Sequence, residues 1–315
     1  MSINGKWRYE DLTWAEMNHA VEAGLIPVLP VGTMEQHGPH LPVKMDRWTA
    51  TEVAKTATEQ HQDRLLFMPP VAYGYTTHVM DFPGSVTIHH ETFIRYIVDI
   101  LKSLAYHGFS RIIVINGHGS NMPPLDLACR RANVETDANV ALTSWWNLTA
   151  VDAEFMKTWR DSEFPGGCAH SGEAETSMAL HMNADLIQMN DAVNEDIKFH
   201  EHKSPYQWVD LWGAGPVSVT SWTSEYTDSG VCGDALLATP EKGKILFDEA
   251  VKNLIGWSNE FYSREVMTRK DHQPAAIRLT RLSALIECNA YLHGVIDSFV
   301  GDLERPIDFT DIHSV

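Results

Sequence analysis

The sequence predicts an α/β protein built on a largely parallel sheet. Apolar runs of strand length recur through its N-terminal half, and segments of helical period lie between them. No internal repeat and no CxxC pair points to another architecture. The strand-like runs are 25–31, 65–71, 111–115 and 140–145, each short and continuously apolar, as strands buried on both faces are. Between the second and third, the segment 91–107 places Phe93, Ile97, Ile100, Leu101 and Leu104 on one stripe, which predicts an amphipathic helix. Thr239, Pro240 and Glu241 announce a later helix, a capping threonine followed by a first-turn proline, with Phe247, Val251 and Leu254 on its buried face. After Arg264 the composition changes. Residues 269–274 read as a linker and 279–300 as one more apolar-faced helix. The expected organisation is therefore a main domain over 1–265 and a helical C-terminal extension over 266–315, packed on the core or on a neighbouring subunit.

The chain has 315 residues, 24 Lys plus Arg against 42 Asp plus Glu, and a formal charge of -18. A nucleic-acid partner is not expected, because phosphate neutralisation needs a basic face. The N-terminus lacks the basic and apolar blocks of a secretory signal, and no run is long enough to span a bilayer. The scattered cysteines read as free thiols, and a cytoplasmic location is expected. Sixteen histidines beside so many carboxylates supply the ligand types that borderline divalent metals prefer.

In α/β proteins the loops leaving the carboxyl ends of strands carry the functional groups. The first such loop holds Glu35 and His37, two apart and so on the same side of an extended segment, with Asp46 shortly beyond. The second is the turn Asn116, Gly117, His118, Gly119, Ser120. The third runs from Gly166 to Ser177 and holds His170, Glu173 and Glu175. Two residues apart on a helix, Glu173 and Glu175 cannot face the same way. Glu175 is expected inward, and Glu173 is expected to compensate the helix dipole.

Taken in this order, the three loops resemble the creatininase family of metal-dependent hydrolases. The matching pieces are 29–38 with Asp46, the Asn-Gly-His turn ending at His118, and His170 with Glu175, Thr176 and Ser177. The segments 73–75, 82–85 and 238–243 are also similar to family segments, whereas the C-terminal tail has no counterpart in the compact members. The resemblance implies a three-layer α/β/α sandwich, a homo-oligomer, often a hexamer, and a pair of divalent metals at the carboxyl edge of the sheet. It places Glu35 and His118 on one metal and His37 on the other, with Asp46 bridging. Creatinine-hydrolysing members carry a glutamate where this chain has Ser120, so the second metal needs another carboxylate, for which Glu175 is the candidate. His and carboxylate ligands without thiolate suit Zn, Mn, Fe or Co.

His170, expected close to the metals but not needed as a ligand, is the expected general base and acid. Tyr75, His78, Ser120 and Trp146 are candidate substrate contacts, with ordinary core packing the alternative for Tyr75, His78 and Trp146; of these, Trp146 matches a pocket tryptophan of the creatinine-hydrolysing members. The expected reaction is hydrolysis at a carbonyl of a small cyclic substrate by metal-activated water. Known members act on cyclic amides, a nucleotide formamide, peptides and inositol-derived cyclic ketones. The creatinine-hydrolysing members have a tryptophan where this chain has Gly166. That loss, with the longer chain, favours 3-dehydro-scyllo-inosose, a cyclic ketone of inositol catabolism, over creatinine or another cyclic amide. Only Lys44 and Arg47 lie near the loops, which argues against a phosphorylated substrate. The competing reading is a non-catalytic metal- or sugar-binding module, motivated by Ser120.

Overall fold

The computed structural model describes residues 5–199, 204–265 and 272. The expected extension over 266–315, with its helix at 279–300, lies outside the described residues.

The chain opens with a capping box: the Thr13 hydroxyl accepts from Glu16 N, and the Glu16 carboxylate accepts from Thr13 N. It starts α1 (Trp14–Glu22), which leads into β1 (Ile26–Val31). There follow α2 (Met45–Gln60), β2 (Leu65–Phe67), α3 (His90–Tyr106), β3 (Arg111–Asn116), α4 (Met122–Glu135), β4 (Asn139–Ser144) and the short α5 (Trp145–Leu148). The four strands form one parallel sheet in the order β2-β1-β3-β4. Strand alternation divides its side chains. Leu29, Val31, Ile112 and Val114 pack against α3 and α4, whereas Ile26, Val28, Ile113 and Ile115 face α2 and the later helices. Helices therefore cover both faces, and the three layers expected from the sequence are present.

One strand is shorter than expected. β2 ends at Phe67, because Pro69 and Pro70 cannot donate to a ladder, and Val71 rejoins β1 only through an isolated bridge to Val31.

The second half adds β5 (Cys168–His170), α6 (Glu173–Asn183), β6 (Asn194–Glu195), β7 (Val209–Asp210), β8 (Gly213–Ala214), α7 (Thr223–Tyr226), β9 (Cys232–Asp234) and α8 (Pro240–Ser263). β5, β9 and β6 form a small antiparallel sheet, and β7 pairs with β8 as a hairpin. The hairpin is held by a buried bidentate pair. Arg160 Nη1 and Nη2 meet the two Asp210 oxygens at 3.0 and 2.8 Å, and Gly166 N donates to the same carboxylate. Leu211 N adds a bond to the Cys168 carbonyl in the strand that carries His170. α8 begins as expected, with the Thr239 hydroxyl accepting from Lys242 N; Val251 and Leu254 are buried with Leu246 and Ala250, while Phe247 is half-buried. Among the described residues no helix is long and apolar enough to cross a membrane.

Strand order places the site. From β1 the chain crosses to β2 on one side, and from β3 it crosses to β4 on the other. The crevice between the carboxyl ends of β1 and β3 is therefore the topological switch point, where ligands of open α/β sheets bind.

Candidate metal centre

Three pieces of backbone converge at that crevice: the loop after β1, the first turn of α2 and the turn after β3. Two glycines permit their approach. A Cβ on Gly117 would lie 1.9 Å from the Asp46 carbonyl oxygen, and one on Gly32 would lie 2.3 Å from Arg47 N. Only glycine lets the start of α2 press against both strand ends, and that contact brings Asp46 between the two loops.

Asp46 is the centre of the arrangement. Its Oδ1 is 3.1 Å from His37 Nε2, and its Oδ2 is 3.1 Å from His118 Nδ1. Glu35 joins on the His118 side, with Oε2 3.1 Å from His118 Nδ1. Glu175 joins on the His37 side, with Oε1 3.6 Å from His37 Nε2. His170 stands beside the second set, its ring 4.3 Å from that of His37 between centroids and its Nδ1 3.7 Å from Glu35 Oε1. Two groups of potential ligand atoms result, Glu35 with Asp46 and His118, and His37 with His170 and Glu175.

Outer contacts orient each ring. His37 Nδ1 faces the Glu35 carbonyl at 3.2 Å and His118 Nε2 faces the Tyr75 carbonyl at 3.1 Å, so both histidines donate outward and turn a lone pair inward. His170 Nε2 meets the Gln36 carbonyl at 2.9 Å, which leaves Nδ1 facing the cluster. The Thr76 hydroxyl donates to Glu35 Oε2, and Ser171 N donates to Glu175 Oε2 at 2.6 Å. Ser171 makes that bond from a left-handed conformation (φ 54°), and its buried hydroxyl has no partner. Thr76, Gln36 and Ser171 carry no ligand signature in the sequence, since they act through a hydroxyl or through backbone. His40, buried and bonded through Nε2 to Thr176 Oγ1 at 2.9 Å, likewise supports the start of α6.

The donor set fits divalent cations. Glu35, Asp46 and Glu175 are each at most 5% exposed. Carboxylates buried together require nearby positive charge. Burial raises Glu35 to about 7 against the pull of His118. Burial also opposes ionisation of Asp46, yet His37 and His118 hold it well below the usual carboxylate range. The same carboxylates overcome burial to raise His118 to about 9. Although His37 Nε2 stands 3.1 Å from Asp46 Oδ1, and Asp46 Oδ2 stands 3.1 Å from His118 Nδ1, neither His37 Nε2 nor Asp46 Oδ2 makes a hydrogen bond. Their lone pairs converge without satisfying one another, as ligand atoms awaiting a cation do. His170 differs, because burial and the neighbouring His37 lower it to about 4.

The remaining sequence-predicted residues divide. His78 stacks on His118 with ring centroids 6.4 Å apart, and its Nε2 meets Ser120 Oγ at 3.3 Å; both line a cavity next to the cluster. Tyr75 contributes its carbonyl to His118, while its ring packs edge-on against His90. Trp146 is 5% exposed and packs on Trp145 in the core, and it is absent from the cavity wall. Glu173 stands in the first turn of α6 and outside the cluster, as expected, but it is also fully buried, accepting from Asp161 N, Ser162 N and Lys242 Nζ, so a neighbouring loop and α8 hold it as well.

Comparison with known proteins agrees with this geometry. A family model described as "Creatininase: Creatinine amidohydrolase" matches residues 10–257. Curated relatives include creatinine amidohydrolase of Pseudomonas putida, 27% identical over 78% of this chain and 93% of that protein. Mycofactocin precursor peptide peptidase of Mycolicibacterium smegmatis is 32% identical over 71% of this chain and 80% of its own. 3-dehydro-scyllo-inosose hydrolase of Thermotoga maritima is 25% identical over 83% and 84%. Among solved structures, a creatininase described as "Creatininase Mn" superposes with a TM-score of 0.69 at 26% identity, covering 82% of this chain and all of that one. The chain belongs to the creatininase family of metal-dependent hydrolases.

Proposed function

We propose that this creatininase-family chain is a dinuclear hydrolase that opens a small polar ring, with 3-dehydro-scyllo-inosose as its substrate. The observation that carries the reading is Asp46, which offers one oxygen to each of two histidines from different loops. In this assignment Glu35, Asp46 and His118 hold one ion, and His37, Asp46 and Glu175 hold the other. Three protein ligands per ion leave positions open, as catalytic sites require. When bound, two divalent ions of the Zn, Mn, Fe or Co type polarise a carbonyl and lower the pKa of a water.

The chain's own groups do the remaining work. The oxygen of a water bonds to the ring carbonyl carbon, the adjacent ring bond breaks, and the new carboxylic acid stays on the attacked carbon. His170, anchored through Nε2 to Gln36, takes the water proton at Nδ1 and returns it to the leaving carbon. Ser120 and His78 lie where the ring would rest.

Gly166 supports a cyclic ketone over creatinine. It adopts φ 117°, a conformation that a tryptophan would enter only with strain, so the missing aromatic wall is built into the backbone. We assign the protein to the cytoplasm as a homo-oligomer acting in inositol catabolism.

The test is a metal assay joined to a substrate panel. About two divalent ions per chain are expected, with conversion of 3-dehydro-scyllo-inosose to a carboxylate product and no conversion after chelation. Full activity in metal-free protein, or turnover of creatinine or a peptide in preference to the inosose, would refute the reading.

A further inference from the structure

The turn that carries His118 is bounded by two fully buried asparagines. Asn116 closes the turn on itself, its Oδ1 accepting from His118 N at 3.1 Å and its Nδ2 donating to the His118 carbonyl. Asn121, immediately before α4, reaches out to other loops instead. Its Oδ1 accepts from Tyr75 N at 2.9 Å, and its Nδ2 donates to the Gly32 carbonyl at 3.1 Å. We propose that Asn121 is the positioning residue for one half of the metal centre: by holding Tyr75 it aims the donors of the Glu35–Asp46–His118 ion and leaves the His37–Asp46–Glu175 ion untouched. The proposal rests on the two-ion assignment above.

The route is two residues long. Tyr75 is held on both sides, its N–H by Asn121 and its carbonyl by His118 Nε2 at 3.1 Å. The next residue, Thr76, donates its hydroxyl to Glu35 Oε2. Adjacent residues therefore orient the two ligands that belong to this ion alone. Neighbouring bonds do not replace Asn121. Gly74 N donates to Thr33 Oγ1 at 3.2 Å, the Gly74 carbonyl accepts from Ile88 N at 2.8 Å, and Thr76 N donates to Thr87 Oγ1 at 3.0 Å. These bonds fix residues 74 and 76, and the Tyr75 N–H between them is fixed by Asn121.

The residue type follows from the task. One side chain must accept from Tyr75 N and donate to the Gly32 carbonyl, and an amide does both at once, whereas a carboxylate accepts only. The fit is close, since a Cβ on Gly74 would lie 2.4 Å from Asn121 Oδ1 and 2.6 Å from its Nδ2. The other half of the centre has separate supports. His37 Nδ1 faces the Glu35 carbonyl, and Glu175 Oε2 accepts from Ser171 N, so neither contact passes through residues 73–76. Groups that orient a ligand from outside typically set about 10–100-fold in metal affinity. Asn121 acts through one intervening residue, which places its effect at about tenfold.

The experiment is calorimetric titration of the metal-stripped full chain with Mn in two single-site backgrounds. Glu175→Gln keeps the Glu35–Asp46–His118 ligands, and Glu35→Gln keeps the His37–Asp46–Glu175 ligands. Adding Asn121→Ala should weaken Mn about tenfold in the first background and by less than about twofold in the second. Gly74→Ala leaves Asn121 in the chain and sets a methyl against its amide, so it should reproduce the loss and serves as the test if Asn121→Ala does not fold. Thr33→Val takes a hydrogen bond from the same segment without touching Tyr75, and should keep Mn affinity within about twofold in both backgrounds. Undiminished affinity in the first background, equal weakening in both, or a loss in Thr33→Val as large as in Asn121→Ala would overturn the proposal. The titration does not depend on turnover. A parent protein that binds about two ions and follows this pattern, but opens no ring carbonyl, would refute the hydrolase reading and leave Asn121 in its role. A ring-opening protein whose Mn affinity ignores Asn121→Ala would do the reverse.

Discussion

Replacing Lys242 by Met should destabilise the fold more than any ordinary surface change. Glu173 is fully buried in the first turn of α6, and Lys242 Nζ lies 2.5 Å from its Oε1. Removing one partner of a buried pair costs about 3–5 kcal/mol, because a carboxylate is left without counter-charge. Glu173 keeps its bonds from Asp161 N at 3.0 Å and Ser162 N at 2.8 Å, which places the loss near the lower end, about 3 kcal/mol. The other two contacts of Lys242, to the Asp161 carboxylate, on a side chain 69% exposed, and to the exposed Leu237 carbonyl, add little. At about 2–4 °C for each kcal/mol in a large domain, Tm should fall by about 6–12 °C. Scanning calorimetry of the full chain measures this, and a double-mutant cycle isolates its cause. If the penalty is an uncompensated charge, Glu173→Gln introduced into Lys242→Met should recover about 1–2 kcal/mol. A Lys242→Met protein melting within about 2 °C of the parent, or a double variant no more stable than the single one, would show that the buried charge is not what the contact serves.

Other perturbations separate ligation from proton transfer. Asp46→Asn should lower bound metal from about two ions per chain to one or fewer, read by elemental analysis, with the helical circular dichroism kept; full metal content would remove Asp46 from the bridging position. His170→Ala should retain both ions but lose about 10²–10⁴-fold in turnover, and loss of an ion along with activity would make it a ligand instead. Ser171→Gly should raise Tm by about 2–8 °C, since an L-residue in the left-handed region costs about 1–2 kcal/mol and the buried hydroxyl has no partner. A lower Tm would mean that this hydroxyl is bonded in solution.

The parallel sheet was legible because the strand signal is local: the unbroken runs at 26–31 and 111–116 supply both faces, and alternation divides them between the layers. Glu35, His37, Asp46, His118 and Glu175 could be singled out because each follows a strand or opens a helix, and the structure brings them together. The burial of Glu173 could not be read, since the cation that compensates it is Lys242, 69 residues later in the chain. The contacts that orient the histidines were equally hidden. They are the carbonyls of Glu35, Gln36 and Tyr75, and a carbonyl leaves no trace in residue type. The β7–β8 hairpin escaped for another reason, because its strands are two residues long and have no period to detect.

The Arg160–Asp210 clamp has a bearing on how such an enzyme diversifies. It fastens the hairpin to the loop before His170, away from Asp46 and His118, so the cluster and the residues of 207–221 that line the cavity beside it descend from separate stretches of chain. Mutations that reshape residues 207–221 can then be sampled without disturbing the ligand frame, provided this clamp and the Leu211 bond to the Cys168 carbonyl are kept.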